Sequence, residues 1–140
     1  MRTFKFRGKG IKSGQWFYGS VVPFGNSAYI FKMFRLLRME HAEVDPATVG
    51  QFTGLFDKNG KEVYEGDIVS HPWKDPIFGD LVETGQFVHS TICFNNGAFV
   101  VNYRLQGEYI YLQDFVRLKC LEVVGNIHDN PELLEKGGEQ

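Results

Sequence analysis

Apolar and polar residues alternate along much of this chain with the two-residue period of strands that bury one face. Thr3-Phe4-Lys5-Phe6-Arg7 sets the pattern, and Gln15-Trp16-Phe17-Tyr18-Gly19-Ser20-Val21-Val22 resumes it after glycines at 8, 10 and 14. Together they predict a first hairpin with a basic, glycine-rich connection. The runs Phe52–Phe56 and Lys61–Tyr64 flank Asp57-Lys58-Asn59-Gly60. An Asn-Gly step between β-favouring runs is a strong hairpin signal, because both residues tolerate positive φ. Glu65-Gly66-Asp67 then turns the chain into Ile68-Val69, and Asn95-Asn96-Gly97 predicts another hairpin between Phe87–Phe94 and Ala98–Arg104. Further strand-like runs occupy Glu108–Leu112 and Cys120–Ile127, where Gly125-Asn126 suggests a bulge.

Helical signals are few. Asp45 at an N-cap position, Pro46 at the first helical position and Gly50 just past the end predict a single turn. Gln113–Val116 reads as another brief turn. Asn130-Pro131-Glu132-Leu133-Leu134 predicts a short terminal helix docked by its leucines. Ala28–Met39 fits two periods: Ile30, Met33, Phe34 and Leu37 suit a helix, while the aromatic content suits a strand hairpin. On a helix, Lys32, Arg35 and Arg38 would line one side, and a solvated face is the plainer reading of that stripe. Pro72, Pro76, Gly79 and Gly85 make His71–Gly85 a surface excursion. Within it, Trp73 and Phe78 either tuck back as a small core or anchor a partner.

The length of 140 residues predicts one domain over residues 1–136 with a frayed tail at 137–140. Thirteen Phe, six Tyr and two Trp beside 16 Gly strengthen the β reading. A net charge of -2 excludes a general field toward nucleic acid or anionic membrane, leaving room only for a local patch. Lys5, Arg7, Lys9 and Lys12 supply one candidate, although charged edge strands also guard against aggregation. Cys93 and Cys120 lack CxxC spacing and read as buried thiols, with a disulfide left open by spacing alone. Met1–Gly10 holds no apolar leader core, and no run approaches the ~20 apolar residues of a spanning helix. The expectation is a cytoplasmic protein with no membrane association.

Reactive groups do not converge in the sequence. His41, His71, His89 and His128 show no HxH or HExxH spacing, and no Ser sits in G-x-S-x-G. Gly8–Gly14 lacks the Walker spacing and reads as a hairpin turn. Glu62, Glu65 and Asp67 crowd a glycine corner, with Lys58 and Lys61 near enough for ordinary surface pairing. No catalytic residue, cofactor or metal is expected. Gly66-Asp67-Ile68-Val69 suits entry into an SH3-like strand: glycine makes the corner, Asp bonds nearby backbone, and the β-branched pair enters the core. The predicted fold class is mainly β with a minor α part. Its form is a small curled sheet or an SH3-like, partly open β-barrel with hairpins and one or two short helices.

Several of these stretches together resemble the YopX family of phage and prophage proteins. They are Gln51-Phe52-Thr53-Gly54-Leu55, Asp57 to Val69, Val124-Gly125-Asn126-Ile127 and Asn130 to Leu134, with Phe6-Arg7 and Trp16, Tyr18 and Gly19 fitting the same pattern. The resemblance touches both ends and the centre, leaving residues 27–43 and 71–85 uncovered. Gly54, Asn59, Gly60, Gly66, Asp67, Gly125 and Asn126 are its structural motif positions. It implies a compact, mainly β protein encoded by bacteriophage or prophage and acting in the host cytoplasm, and it carries over no catalytic residue. The leading expectation is a non-enzymatic module that binds a phage or host protein through Trp73 and Phe78, with self-association left open. The alternative is nucleic-acid binding through Lys5, Arg7, Lys9, Lys12, Arg35 and Arg38, with Trp16 or Phe34 as stacking platforms. An enzyme with an unrecognised site ranks last.

Overall fold

The computed structural model describes residues 4–35, 38–72, 87–103, 108–117 and 119–137. The chain divides into two compact units, Met1–Gly54 and Leu55–Gln140. Both are built on antiparallel sheet.

The N-terminal unit holds β1 (Phe6–Lys9), β2 (Trp16–Phe24), β3 (Ser27–Arg35), β4 (Arg38–Val44) and the start of β5 (Gly50–Phe56), in the order β4-β3-β2-β1-β5. The stretch whose sequence fits two periods is extended: β3 and β4 pair from Ala28↔Val44 to Arg35↔Arg38, with an irregularity between Met33 and Arg35. A waiting partner decides this, because β2 pairs with β3 from Ser20↔Phe31 to Phe24↔Ser27. The helical stripe of Lys32, Arg35 and Arg38 is therefore corrected to positions on a hairpin. Inward alternation places Ala28, Ile30 and Val44 in a small core, with Phe6, Phe17, Val21 and Val49 packed against it.

The sheet of this unit curls. Gly10 bridges Val44, the Ile11 N–H donates to the Glu43 carbonyl at 3.1 Å, and the Asp45 N–H donates to the Lys9 carbonyl at 2.8 Å. Gly8 permits the approach, since a Cβ there would lie 2.7 Å from a Val44 methyl. The expected turn at Asp45 is a 3-10 helix at Pro46–Thr48, capped by the Asp45 carboxylate accepting from the Ala47 N–H. Thr48 Oγ1 ties it to β1 by accepting from the Lys9 N–H at 2.9 Å.

Past Gly54, the end of β5 leads through the Asp57–Gly60 turn into β6 (Glu62–Tyr64). The C-terminal unit then forms a sheet from β7 (Asp67–Pro72), β8 (Phe87–Asn95), β9 (Ala98–Tyr103), β10 (Glu108–Tyr111) and β11 (Glu122–Asn126), ordered β10-β9-β8-β7-β11. Two short helices, α1 (Leu112–Arg117) and α2 (Glu132–Gly137), complete it. Val69, Val88, Ile92, Val101 and Val123 from the sheet bury themselves with Val63, Leu112, Phe115 and Leu121. Each such side chain contributes about 1.5–3 kcal/mol by leaving water. His71 and Pro72, expected in a loop, are the last residues of β7, since β8 pairs with them as Val88 and Phe87. The bulge anticipated at Gly125 is present as a register shift between Val123 and Gly125.

The fold is mainly β, with two curled antiparallel sheets and two short helices. Among the described residues neither sheet closes into a barrel. Cys93 and Cys120 are both free thiols and half-buried. No helix among the described residues is long and apolar enough to cross a membrane.

Candidate functional site

Most of the family-like motif residues are turn and staple residues of the C-terminal unit, while Gly54 lies in β5 and Trp16, Tyr18 and Gly19 lie on β2 of the N-terminal unit. The buried Asp57 carboxylate accepts three backbone N–H groups, from Asn59 and Lys61 at 2.9 Å through Oδ1 and from Val123 at 3.0 Å through Oδ2. Gly60 completes the turn at φ 82°, a region glycine adopts without Cβ strain. Asn59 Nδ2 reaches Glu122 Oε1 at 3.3 Å, and Lys58 pairs with the other oxygen of the same carboxylate at 3.5 Å. At the next corner Asp67, 1% exposed, accepts from the Tyr64 N–H at 2.7 Å. The Gly66 N–H donates to Ile92, and the Gly66 carbonyl accepts from Ile127. The reading of Asp67 as a surface-paired acid is thereby corrected to a buried one, and its bond from the Tyr64 N–H is the backbone contact expected at the Gly66 corner. At the last corner Asn126 Oδ1 accepts from the His128 and Asp129 N–H groups, and the Asn126 N–H donates to Asn130 Oδ1.

The histidines separate in the same way. His71 is fully buried between Ser90 and the Phe115 ring, whose centroid lies 4.5 Å away. Its Nδ1 lies 2.8 Å from the Pro72 carbonyl, so that nitrogen carries the proton, and Nε2 accepts from the Ser90 hydroxyl at 2.9 Å. Burial, followed in size by the opposing effect of the Pro72 hydrogen bond and by repulsion from His89, brings its pKa down to about 4. His89 Nδ1 meets the Leu133 carbonyl at 2.9 Å, holding α2 to β8. Burial, then the nearby Glu65 carboxylate, pushes the Cys93 thiol pKa up, which makes it a poor nucleophile. Among the described residues no group of three or more His, Cys, Asp or Glu is placed to hold a metal ion.

Among the described residues, surface with room for a ligand lies on the N-terminal unit. β2 pairs with β1 along Trp16–Gly19 and with β3 along Ser20–Phe24. Gly19 marks the handover, and a Cβ there would collide with the Phe31 carbonyl oxygen. Beside the first half of β2 an open groove of about 420 Å³ forms, lined by Trp16, Phe17, Tyr18, Ile30, Lys32, Glu40 and His41. A second groove of about 420 Å³ shares Phe17 and His41 and continues toward Lys12, Tyr29 and Glu43. Lys32 and Glu40 are cross-strand partners, so the rim carries both signs. His41 stacks on Phe31 at 5.3 Å with the rings 24° apart.

The basic residues singled out from the sequence are spread over several settings. Lys5 sits over the Phe52 ring at 5.2 Å, and the buried Arg7 guanidinium lies 4.8 Å from the centre of the Trp16 ring. Lys9 is half-buried beside Thr48, and Lys12 lines the second groove. Arg35 and Arg38 face each other across the β3–β4 hairpin in register, and their side chains lie outside the described residues. Trp73 and Phe78 also lie outside them. Sequence reasoning noted Trp16, Phe17 and Tyr18 as a strand. It missed Ile30, Glu40 and His41 as their companions, because that grouping appears only once β3 and β4 are known to be strands.

These features define a β protein of two curled antiparallel sheets whose recurrent motifs serve turns and staples. A sequence model described as YopX protein matches residues 5–135, and the chain belongs to the YopX family. Its fold is similar to that of protein EF1440 from Enterococcus faecalis, with a TM-score of 0.58 and 22% identity over 96% of this chain and 99% of that one. It is likewise similar to protein yopX from Bacillus subtilis, with a TM-score of 0.57 and 19% identity over 96% and 97% of the two chains. No curated protein matches the sequence.

Proposed function

We propose that this YopX-family protein is a non-enzymatic, phage- or prophage-encoded module that binds a protein segment in the bacterial host. The observation carrying this reading is the groove lined by Trp16, Phe17, Tyr18 and Ile30 and rimmed by Lys32 and Glu40. Aromatic faces give an extended peptide contact area at low entropic cost, and a rim of mixed sign suits peptide side chains of either charge. A polyanion would need a rim of one sign, and Lys5 and Arg7 already lie against aromatic rings of their own unit. Trp73 and Phe78 remain proposed as an additional anchor, and self-association is a further proposal within this reading.

The test compares wild type with Tyr18→Ala as bait in bacterial lysate, each with and without nuclease, followed by binding of the captured segment as a synthetic peptide. The expected result is a protein that survives nuclease, is lost with Tyr18→Ala, and binds as a peptide with little dependence on salt. Equal capture by both baits would reject the groove. Capture that vanishes with nuclease and falls steeply with salt would transfer the role to nucleic acid and the basic residues.

A further inference from the structure

Two Asn-Gly steps form hairpin turns in the C-terminal unit, and the fold treats them differently. At Asn59-Gly60 every group that matters for reaction is held. The Asn59 N–H donates to Asp57 Oδ1 and its side-chain amide donates to Glu122. The Gly60 N–H donates to the Asp57 carbonyl at 3.0 Å, and the next residue, Lys61, donates to Asp57 Oδ1. At Asn96-Gly97 the ladder ends on the pair Asn95↔Ala98, leaving a two-residue exposed tip with φ values of 51° and 82°. Among the described residues no comparable tether reaches the Asn96 side chain or the Gly97 N–H.

We infer that Asn96 is a selective site of spontaneous deamidation, and that Asn59 is protected from it by the fold. The Gly97 main-chain nitrogen, its proton taken by solvent base, attacks Cγ of Asn96. A C–N bond forms, and the side-chain nitrogen departs as ammonia, leaving a five-membered succinimide. Water then opens either carbonyl of the ring to give Asp or isoaspartate at position 96. The net change is amide plus water to carboxylate plus ammonium, with no oxidation or reduction. For Asn59 the same path must first break the bonds to the leaving amide and to the attacking nitrogen. Each is worth on the order of 1 kcal/mol, so the protected site should react roughly tenfold or more slowly. Deamidation at position 96 places a carboxylate at the turn directly beyond the Phe94–Phe99 edge-to-face pair, whose centroids lie 5.1 Å apart.

The experiment ages the intact protein in mildly alkaline buffer and follows both turns by peptide mapping with mass spectrometry. The expected result is conversion at Asn96 with Asn59 lagging by roughly tenfold or more. In denaturant the two sites should converge in rate. Glu122→Ala, which removes the acceptor of the Asn59 side chain at a half-exposed position, should speed reaction at Asn59 in the folded protein. Equal rates in the folded protein, or no conversion at Asn96, would overturn the inference. A difference that persists in denaturant would assign the selectivity to local sequence and overturn it as well.

Discussion

The two units of this chain differ in how much apolar side chain they bury and in how their turns are held. The C-terminal unit buries a large apolar cluster from four of its strands, β6 and α1, and locks its turns with the buried carboxylates of Asp57 and Asp67. The N-terminal unit buries far less, with Ala28, Ile30 and Val44 at its centre, and leaves aromatic surface along β2 beside an open groove. A groove of this kind needs strands that part from one another, and strands that part contribute less core. Most of the family-marking turn residues staple the C-terminal unit, whereas Trp16 and Tyr18 both fit the family pattern and line the groove.

Hollowing out the larger core should have the largest effect. Phe115 is 1% exposed, and Phe115→Ala should cost about 4 kcal/mol in urea unfolding. Hydrogen exchange read segment by segment should accelerate mainly in residues 55–137. Equal acceleration in residues 4–54 would show that the units unfold as one and would dissolve the contrast.

Acid should act on the same unit through His71. Its folded pKa is lowered from 6.5 to about 4, so the unfolded chain binds the proton first as pH falls. Stability is therefore full above about pH 6.5 and drops as pH falls toward 4, by about 3 kcal/mol in all. A His71→Gln variant should flatten that slope. An unchanged slope would place the titration elsewhere.

Smaller effects belong to the N-terminal unit. Gly19→Ala forces a methyl against the Phe31 carbonyl and should cost about 2 kcal/mol by thermal or urea unfolding, with exchange rising along β2 and β3. Unchanged stability would mean that the β2–β3 handover is looser than the geometry shows. Tyr18 is 42% exposed, and Tyr18→Ala should change stability by no more than about 0.5 kcal/mol. The same variant should weaken binding of a groove ligand by roughly tenfold or more. A large loss of stability instead would make Tyr18 a structural residue and weaken the groove reading.

Much of the fold was legible because local chemistry decides it. Asn59-Gly60, Asn96-Gly97, the Asp45-Pro46 cap and the Asn130-Pro131 start each act within a few residues of sequence. Ala28–Met39 was not legible, because its apolar spacing serves both periods and the choice depends on β2 as an outside partner. The burial of His71 escaped for a similar reason. It follows from Ser90 and Phe115, 19 and 44 positions further along, and from no neighbour in sequence. The groove was legible only in its aromatic half. The acids and His41 that share it come from another strand, and strand register cannot be read from one segment alone.

The Asp57 carboxylate joins residues 66 positions apart when it accepts from Val123. Its turn can form as soon as Lys61 is synthesised, yet Oδ2 lacks its Val123 donor until β11 arrives. On a ribosome the C-terminal unit therefore waits for almost the whole chain, since such distant contacts close late. The final strand acts as a latch thrown at the end of translation, and a chain cut short before Leu121 would leave the turn formed and the door unbolted.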